Sequence, residues 1–406
     1  MRPMKHKAIK INLLLVVLGM GAMGAPLLGP LRNTLQNEAG LSRFQVGLGD
    51  FVFSIAGGLI GLALGVFLRR VVRPTFVKAG VFTFGLGCAL LAATQALPAS
   101  FYLPLIAGGW MVIFIARPLA SAANGVFADL WDSNPHTGLI LLHMTNAFGK
   151  FLAPLVVITL GDAVWRSGLA YTIFFALLAG HALFWPTETF DHLAELERSR
   201  DVDRKVRLPR NPVVWACALQ FGIIAGAESG ATVILGELVR ELRGSPFAGV
   251  SDEAWGRAAI LIMIGGIVLG RVIFALLAGR MQPRSIVRTC LACIVFAIPA
   301  ALHPSPYVYA PALLLLGIAF SATWPAFFGI VAHTYPHERT FLSFSAGLAN
   351  VVGMGVVNLS VGAIGNVDAR LPLAFLTGPA VMLLFALFLF GTPWGRSLET
   401  LREEPE

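Results

Sequence analysis

The chain has 406 residues, of which 56% are hydrophobic and only 13% are charged, with a formal net charge of +8. A soluble domain carries about 25% charged residues, so this composition excludes a soluble protein and indicates an integral membrane protein. A positive net charge would suit a nucleic-acid partner, but the basic residues lie in short connections between apolar segments, and we expect no such partner.

Twelve segments are long and apolar enough to cross a bilayer, for which a helix needs about 20 residues. None shows the alternation of a barrel strand, so we expect helices. The predicted spans, numbered 1 to 12, are 10–31, 45–68, 76–97, 102–128, 138–160, 166–187, 211–239, 256–279, 284–302, 308–333, 342–365 and 371–391. The predicted fold class is an all-α membrane protein of twelve transmembrane helices.

Basic residues are concentrated in alternate connections. Both terminal tails and the connections on their side of the bilayer hold 20 Lys and Arg, whereas the opposite connections hold seven. Lys and Arg favour the cytoplasmic side. We therefore expect a multi-pass protein of the cell inner membrane with both termini in the cytoplasm.

One long polar segment divides the chain. It separates six spans from six and carries charges of both signs. We predict an N-terminal six-helix bundle at 1–187, a cytoplasmic linker at 188–210, a C-terminal six-helix bundle at 211–392 and a cytoplasmic tail at 393–406. Two such bundles suit a protein that exposes a central site alternately to each side of the lipid bilayer. We expect a monomer.

Polar residues inside spans 4 and 5 form two stripes. His143, Asn146 and Lys150 share a helix face at spacing i, i+3, i+7, and Arg117 and Asn124 share a face at i, i+7. Such groups are costly in lipid and usually face a cavity or a partner. We predict that all five bind a small-molecule solute halfway across the bilayer. For His143 and Asn146, hydrogen bonds to neighbouring helices are the alternative.

Two acidic residues within spans are candidates for proton coupling. Glu228 is midway along span 7, and Asp50 is nearer the outer end of span 2. A carboxylate away from water can hold a proton near neutral pH, so either residue could couple transport to protons. For Glu228, an ion pair with Lys150 or Arg117 and direct contact with the solute remain open. The two cations could equally receive an anionic solute.

No segment matches a catalytic or cofactor-binding motif. The sequence lacks a GxxxxGK[ST] loop, metal-ligand spacing, GxSxG and HExxH. We expect no enzyme, no cofactor and no metal, and we expect any energy for transport to come from a gradient.

Five segments carry the patterns of a known family: GVFLRRVVRPTFVKAG at 65–80, PLASAANGVF at 118–127, TNAFGKFLAP at 145–154, GRVIFALLAGRMQPR at 270–284 and FSATWPAFFGI at 320–330. With these segments and its 6+6 layout, the chain resembles the major facilitator superfamily. Within it, the chain is most similar to the fucose permease-like sugar:proton symporters. The resemblance implies that Asn146 binds sugar and that His143 stands where the family has a substrate-contacting glutamine. It also implies that Arg271 is a structural or gating residue near the cytoplasmic end of span 8.

The chain departs from that group at its acidic residues. The family's proton-carrying glutamate in span 4 corresponds to Ala120, and the acid of span 1 has no counterpart among residues 21–30. Either Glu228 or Asp50 has taken over proton coupling, or the protein is a uniporter, or the solute is not a neutral sugar.

An aromatic group in span 10 is a further candidate for solute contact. Trp324, Phe327 and Phe328 could stack on a sugar ring, whereas aromatic residues within spans are also common in packing. We predict Trp324 as a substrate-binding residue.

These observations favour a secondary active transporter. The prediction is that it moves a small polar organic solute of the sugar or sugar-acid type across the inner membrane by alternating access, coupled to protons. One alternative is a uniporter or exporter of an organic anion or drug. The other is a membrane assembly or sensor protein that does not transport.

Overall fold

The computed structural model describes residues 14, 17, 40–67, 73–93, 97–130, 135–160, 209–278 and 280–398. These ranges are helical and contain no strand. Their α-helices are α1 Arg43–Phe67, α2 Arg73–Ala93, α3 Tyr102–Ala120, α4 Ala122–Leu130, α5 Pro135–Leu160, α6 Pro212–Leu242, α7 Asp252–Leu277, α8 Pro283–Ala301, α9 Pro306–Ser321, α10 Thr323–Thr334, α11 Arg339–Ile364, α12 Leu371–Ala386 and α13 Pro393–Ser397.

The helices coincide with ten of the predicted spans. Seven stretches of the described residues are long and apolar enough to cross a membrane. Except for Leu14 and Val17, which are helical, spans 1 and 6 lie outside the described residues, as does nearly all of the 188–210 segment. We call α1–α5 the N-terminal set and α6–α13 the C-terminal set.

Two predicted spans are each divided into two helices. The break between α3 and α4 falls at Ser121, three residues after Pro118, and the break between α9 and α10 falls at Ala322, three residues before Pro325. Proline has no N–H, so it cannot bond the carbonyl four residues earlier and its ring crowds that carbonyl. Pro325 therefore leaves the Ser321 carbonyl without its helical donor, and a side chain from another helix occupies that position.

Glycine lets the helices approach closely within the C-terminal set. A Cβ placed on Gly266 of α7 would lie 2.1 Å from the Leu314 carbonyl oxygen of α9, and one on Gly317 would lie 2.0 Å from the Met263 carbonyl oxygen. Both distances are too short for a real methyl group. The two glycines are thus required for backbone-to-backbone packing of the small-residue type found in membranes.

The two sets meet along α1 and α11 and along α5 and α7. The α1–α11 contact is also lined by glycine, because a Cβ on Gly362 would lie 2.6 Å from the Arg43 carbonyl oxygen and one on Gly355 would lie 1.9 Å from Ser54 Oγ. Arg43 adds an ionic link at one end. It pairs with Glu237 of α6 and, at 2.6 Å, with Asp368 after α11.

Candidate functional site

A cavity of about 190 Å³ lies between the two sets of helices. It is near mid-depth, since Glu228 on its wall is the 17th of the 31 residues of α6. Helices of both sets contribute polar or aromatic side chains to it. These are Phe84, Arg117, Ser121, Asn124, His143, Asn146, Lys150, Glu228, Ser229, Thr232, Arg271, Trp324 and Asn350.

The polar stripes predicted for spans 4 and 5 face this cavity. His143 Nε2 donates to Asn124 Oδ1 at 3.1 Å, which joins α5 to α4. Asn146 Nδ2 makes a longer bond of 3.4 Å to the Val17 carbonyl. Each side chain therefore has a helix partner and also a place on the cavity wall, so the two sequence-based interpretations are compatible.

Lys150 and Glu228 form an ion pair across the cavity. Lys150 Nζ donates to Glu228 Oε1, and the two side chains are 22% and 16% exposed. The pair joins α5 of the N-terminal set to α6 of the C-terminal set. Of the three arrangements that the sequence left open for Glu228, pairing with Lys150 is the one present in this structure.

Arg271, which the resemblance implied to be a structural or gating residue near the cytoplasmic end of span 8, lines the cavity. Its Nε donates to the Ser321 carbonyl at 2.9 Å, and its Nη1 donates to the His143 carbonyl. The first bond satisfies the acceptor that Pro325 leaves without a helical donor. Arg271 thereby holds the α9–α10 break and connects α7 to α5.

Arg117 has a poor set of partners for a guanidinium inside a membrane. Its Nη1 donates to the thioether Sδ of Met354 at 3.3 Å, and the group lies 5.4 Å from the centre of the Phe114 ring. Among the described residues, no carboxylate oxygen is within 4 Å of it. Asp50 is near enough to attract it electrostatically.

Trp324 is the aromatic residue of span 10 that lines the cavity. Its ring is 4.5 Å from that of His143, and its Nε1 donates to Asn350 Oδ1 at 2.9 Å. Phe328 stacks behind it at 5.3 Å. Phe327 and Phe328 are fully buried and do not line the cavity, so both act in packing.

Asp50 lies outside the cavity wall. It is 4% exposed, and its Oδ2 accepts from Asn358 Nδ2 at 3.3 Å. Asn358 Oδ1 in turn accepts from Ser229 Oγ at 3.1 Å, and Ser229 lines the cavity. One amide side chain therefore separates Asp50 from the wall, and an amide does not relay protons as a carboxyl or imidazole does.

Several wall residues were not predicted as binding residues. Thr232 follows Glu228 by four residues and so shares its helix face, which the spacing rule could have detected. Asn350 and Met354 of α11 have the same spacing. Their common face was not evident from the sequence because α11 carries no charged residue between Arg339 and its end.

Comparisons with known proteins agree on the fold. The sequence profile of the Major Facilitator Superfamily matches residues 13–358. The crystal structure of the E. coli fucose:proton symporter FucP superposes with a TM-score of 0.64 at 17% identity, covering 94% of this chain and 97% of that chain. A D-xylose:proton symporter gives 0.67 at 17% identity over 94% and 96% of the two chains. The human organic anion transporter TETRAN gives 0.62 at 15% identity over 93% and 97%.

At these identities, the structural likeness shows a shared fold only. No curated protein is significantly similar to the chain in sequence.

Proposed function

Because the chain belongs to the major facilitator superfamily and is a multi-pass membrane transporter, we propose that it moves a small polar organic solute of the sugar or sugar-acid type. The solute binds in the central cavity and crosses by alternating access of the two six-helix bundles. We place these bundles at 1–187 and 211–392, with Asn146, His143, Asn124, Lys150, Arg117 and Trp324 as solute contacts.

The cavity is the observation that carries this proposal. Amide, imidazole and charged groups from both helix sets converge on about 190 Å³, below the roughly 300 Å³ at which drug-sized sites begin. This size favours a small solute over a drug. Several hydrogen-bonding groups beside one indole ring also suit a sugar, which presents hydroxyls around an apolar ring face.

The distribution of basic residues supports a location in the inner membrane and a cytoplasmic position of both termini. The 20:7 excess of Lys and Arg in alternate connections favours the cell inner membrane with both termini in the cytoplasm. In that orientation the ionic link of Arg43 joins the two helix sets on the outer side, and we expect that solute exchange with the outside requires the link to open.

Glu228 supports proton coupling. It is the carboxylate on the cavity wall within the described residues, and its partner Lys150 also lines the cavity. A solute that engages Lys150 would release Glu228, which could then take up a proton. Binding of solute and proton would thereby be linked.

One observation favours a uniporter as the second candidate. Ala120 occupies the wall where the sugar symporters that the chain resembles carry an acid, and it offers no titratable group. Uptake that is indifferent to a pH gradient would support the uniporter, whereas uptake that alkalinises the medium would support proton symport.

Uptake by proteoliposomes tests the proposal. The purified protein is reconstituted and offered radiolabelled sugars and sugar acids. Ala225→Phe places a large ring on the cavity wall and should abolish uptake. Leu219→Phe is the matched control, since Leu219 is 63% exposed on the same helix and does not line the cavity. The proposal fails if the wild type takes up no member of the panel, or if Ala225→Phe transports as fast as the wild type.

A further inference from the structure

Cations outnumber carboxylates on the cavity wall. Arg117, Lys150 and Arg271 line it, and Glu228 is the carboxylate that lines it within the described residues, so the wall carries a net charge of +2 (three minus one). Adding Asp50, which lies behind the wall, still leaves +1. At mid-depth in a bilayer there is little water to screen this charge.

The three cations differ in how well they are compensated. Lys150 pairs with Glu228. Arg271 has two backbone carbonyls, which are neutral acceptors that fix its orientation but leave its charge in place. Arg117 has a thioether, which is a weak acceptor. Asp50 attracts this guanidinium from behind the wall, but a guanidinium whose charge is only partly compensated is still unfavourable inside a membrane. The arrangement therefore lacks a negative charge, and a ligand can supply it.

The arrangement of the three cations favours a ligand that carries its negative charge on a carboxylate. Two guanidinium groups and one ammonium surround a cavity of about 190 Å³, and guanidinium binds the planar carboxylate through parallel hydrogen bonds. The remaining wall presents Asn124, Asn146 and Asn350, whose amides both donate and accept, as hydroxyl groups require.

We propose that the solute is a small polyhydroxylated organic acid, whose carboxylate is bound by Arg117 with Lys150 and Arg271 close by. This inference rests on the proposed function and narrows it, because it selects sugar acids over neutral sugars. The solute carboxylate competes with Glu228 for Lys150, and the asparagine amides hold the hydroxyl groups.

Matched pairs of ligands test this inference without any mutation. Three pairs are suitable: D-glucuronate with D-glucose, D-galacturonate with D-galactose, and D-gluconate with D-glucitol. Within each pair, one terminal carbon is a carboxylate in the acid and a hydroxymethyl group in the neutral compound. This carbon is C6 in the first two pairs and C1 in the third. The melting temperature of the purified protein in detergent is measured with each ligand at equal ionic strength. At least one acid should raise it by a few degrees, while its neutral counterpart leaves it unchanged, because only ligands that bind the folded state shift it.

A pair of variants locates the effect. Arg117→Gln should weaken binding of the stabilising acid at least tenfold, since it removes the charge but keeps a donor. Arg240→Gln is the control, because Arg240 lies at the end of α6 and does not line the cavity. If Arg117→Gln does not fold, the comparison of ligand pairs on the wild type still decides the question.

Three results would overturn the inference: a neutral sugar that stabilises as well as its acid, no stabilisation by any acid, or full binding of the acid by Arg117→Gln. Uptake separates this outcome from failure of the proposed function. Preferential uptake of neutral sugars refutes only the acid selectivity, whereas uptake of neither class refutes the transport proposal as well.

Discussion

The two partners of the Lys150–Glu228 pair should contribute unequally to stability. Glu228→Gln leaves Lys150 with Arg271 and Arg117 and with no carboxylate beside it on the described wall. Removing one partner of a buried pair costs about 3–5 kcal/mol, since a charge is left buried and uncompensated. Lys150→Met leaves Glu228 near a cation, because Arg271 still attracts it. We therefore expect that variant to lose only the charged hydrogen bond, about 1.5–3 kcal/mol.

The free energy of unfolding is measured by titration with denaturing detergent in mixed micelles. The double variant Lys150→Met/Glu228→Gln should be more stable than Glu228→Gln alone, because it removes the uncompensated ammonium. Arg240 and Glu241 provide the control pair, being 2.8 Å apart with side chains 28% and 35% exposed. Neutralising either of them should cost less than about 1 kcal/mol. A Lys150→Met variant that is as unstable as Glu228→Gln would refute the reasoning.

Three further predictions follow from the same contacts. Arg271→Gln should lower the free energy of unfolding by about 1–3 kcal/mol, because the Ser321 carbonyl loses its donor, and it should also slow transport; unchanged unfolding and uptake would contradict this. Arg43→Ala removes the ionic link and should speed the reaction of an externally added thiol reagent with a Ser229→Cys reporter by about tenfold, the equivalent of ~1.4 kcal/mol. Arg43→Lys keeps the charge and should change the labelling rate little. Equal labelling rates in wild type and Arg43→Ala would exclude the ionic link as a closure. Glu228→Gln should abolish accumulation against a gradient but spare exchange in proteoliposomes, and unchanged accumulation would remove Glu228 as the coupling residue.

Helical spacing was sufficient to place the two polar stripes on α4 and α5 and the end of α3. Within a helix, spacing determines which side chains share a face. A polar face inside a membrane is unfavourable against lipid, so it usually lines a cavity or contacts another helix. The same reasoning could not identify partners between helices. Pairing of Lys150 with Glu228 depends on how α5 and α6 are placed on opposite sides of the cavity, and the sequence left three arrangements open.

The position of Arg271 shows a different limit. Sequence position suggested the end of a helix, yet a long arginine side chain reaches well beyond its own Cα. Its hydrogen-bond partner exists because Pro325, 54 residues later in the chain, frees the Ser321 carbonyl. Each group of this pair is explained by local chemistry, since arginine supplies a donor and the proline leaves a carbonyl without one. Recognising it requires knowing that α7 and α9 are neighbours.

The glycines between α1 and α11 have a mechanical consequence for the transport cycle. In the proposed cycle the two bundles meet repeatedly at the same surface. Here Gly47 and Gly362 each face backbone of the opposite helix, and Gly355 faces only the small side chain of Ser54. Where glycine faces backbone, the two helices can part at this seam without rotamer changes at those positions. A valine at position 355 or 362 would act as a spacer that keeps the seam apart and traps the carrier in one orientation.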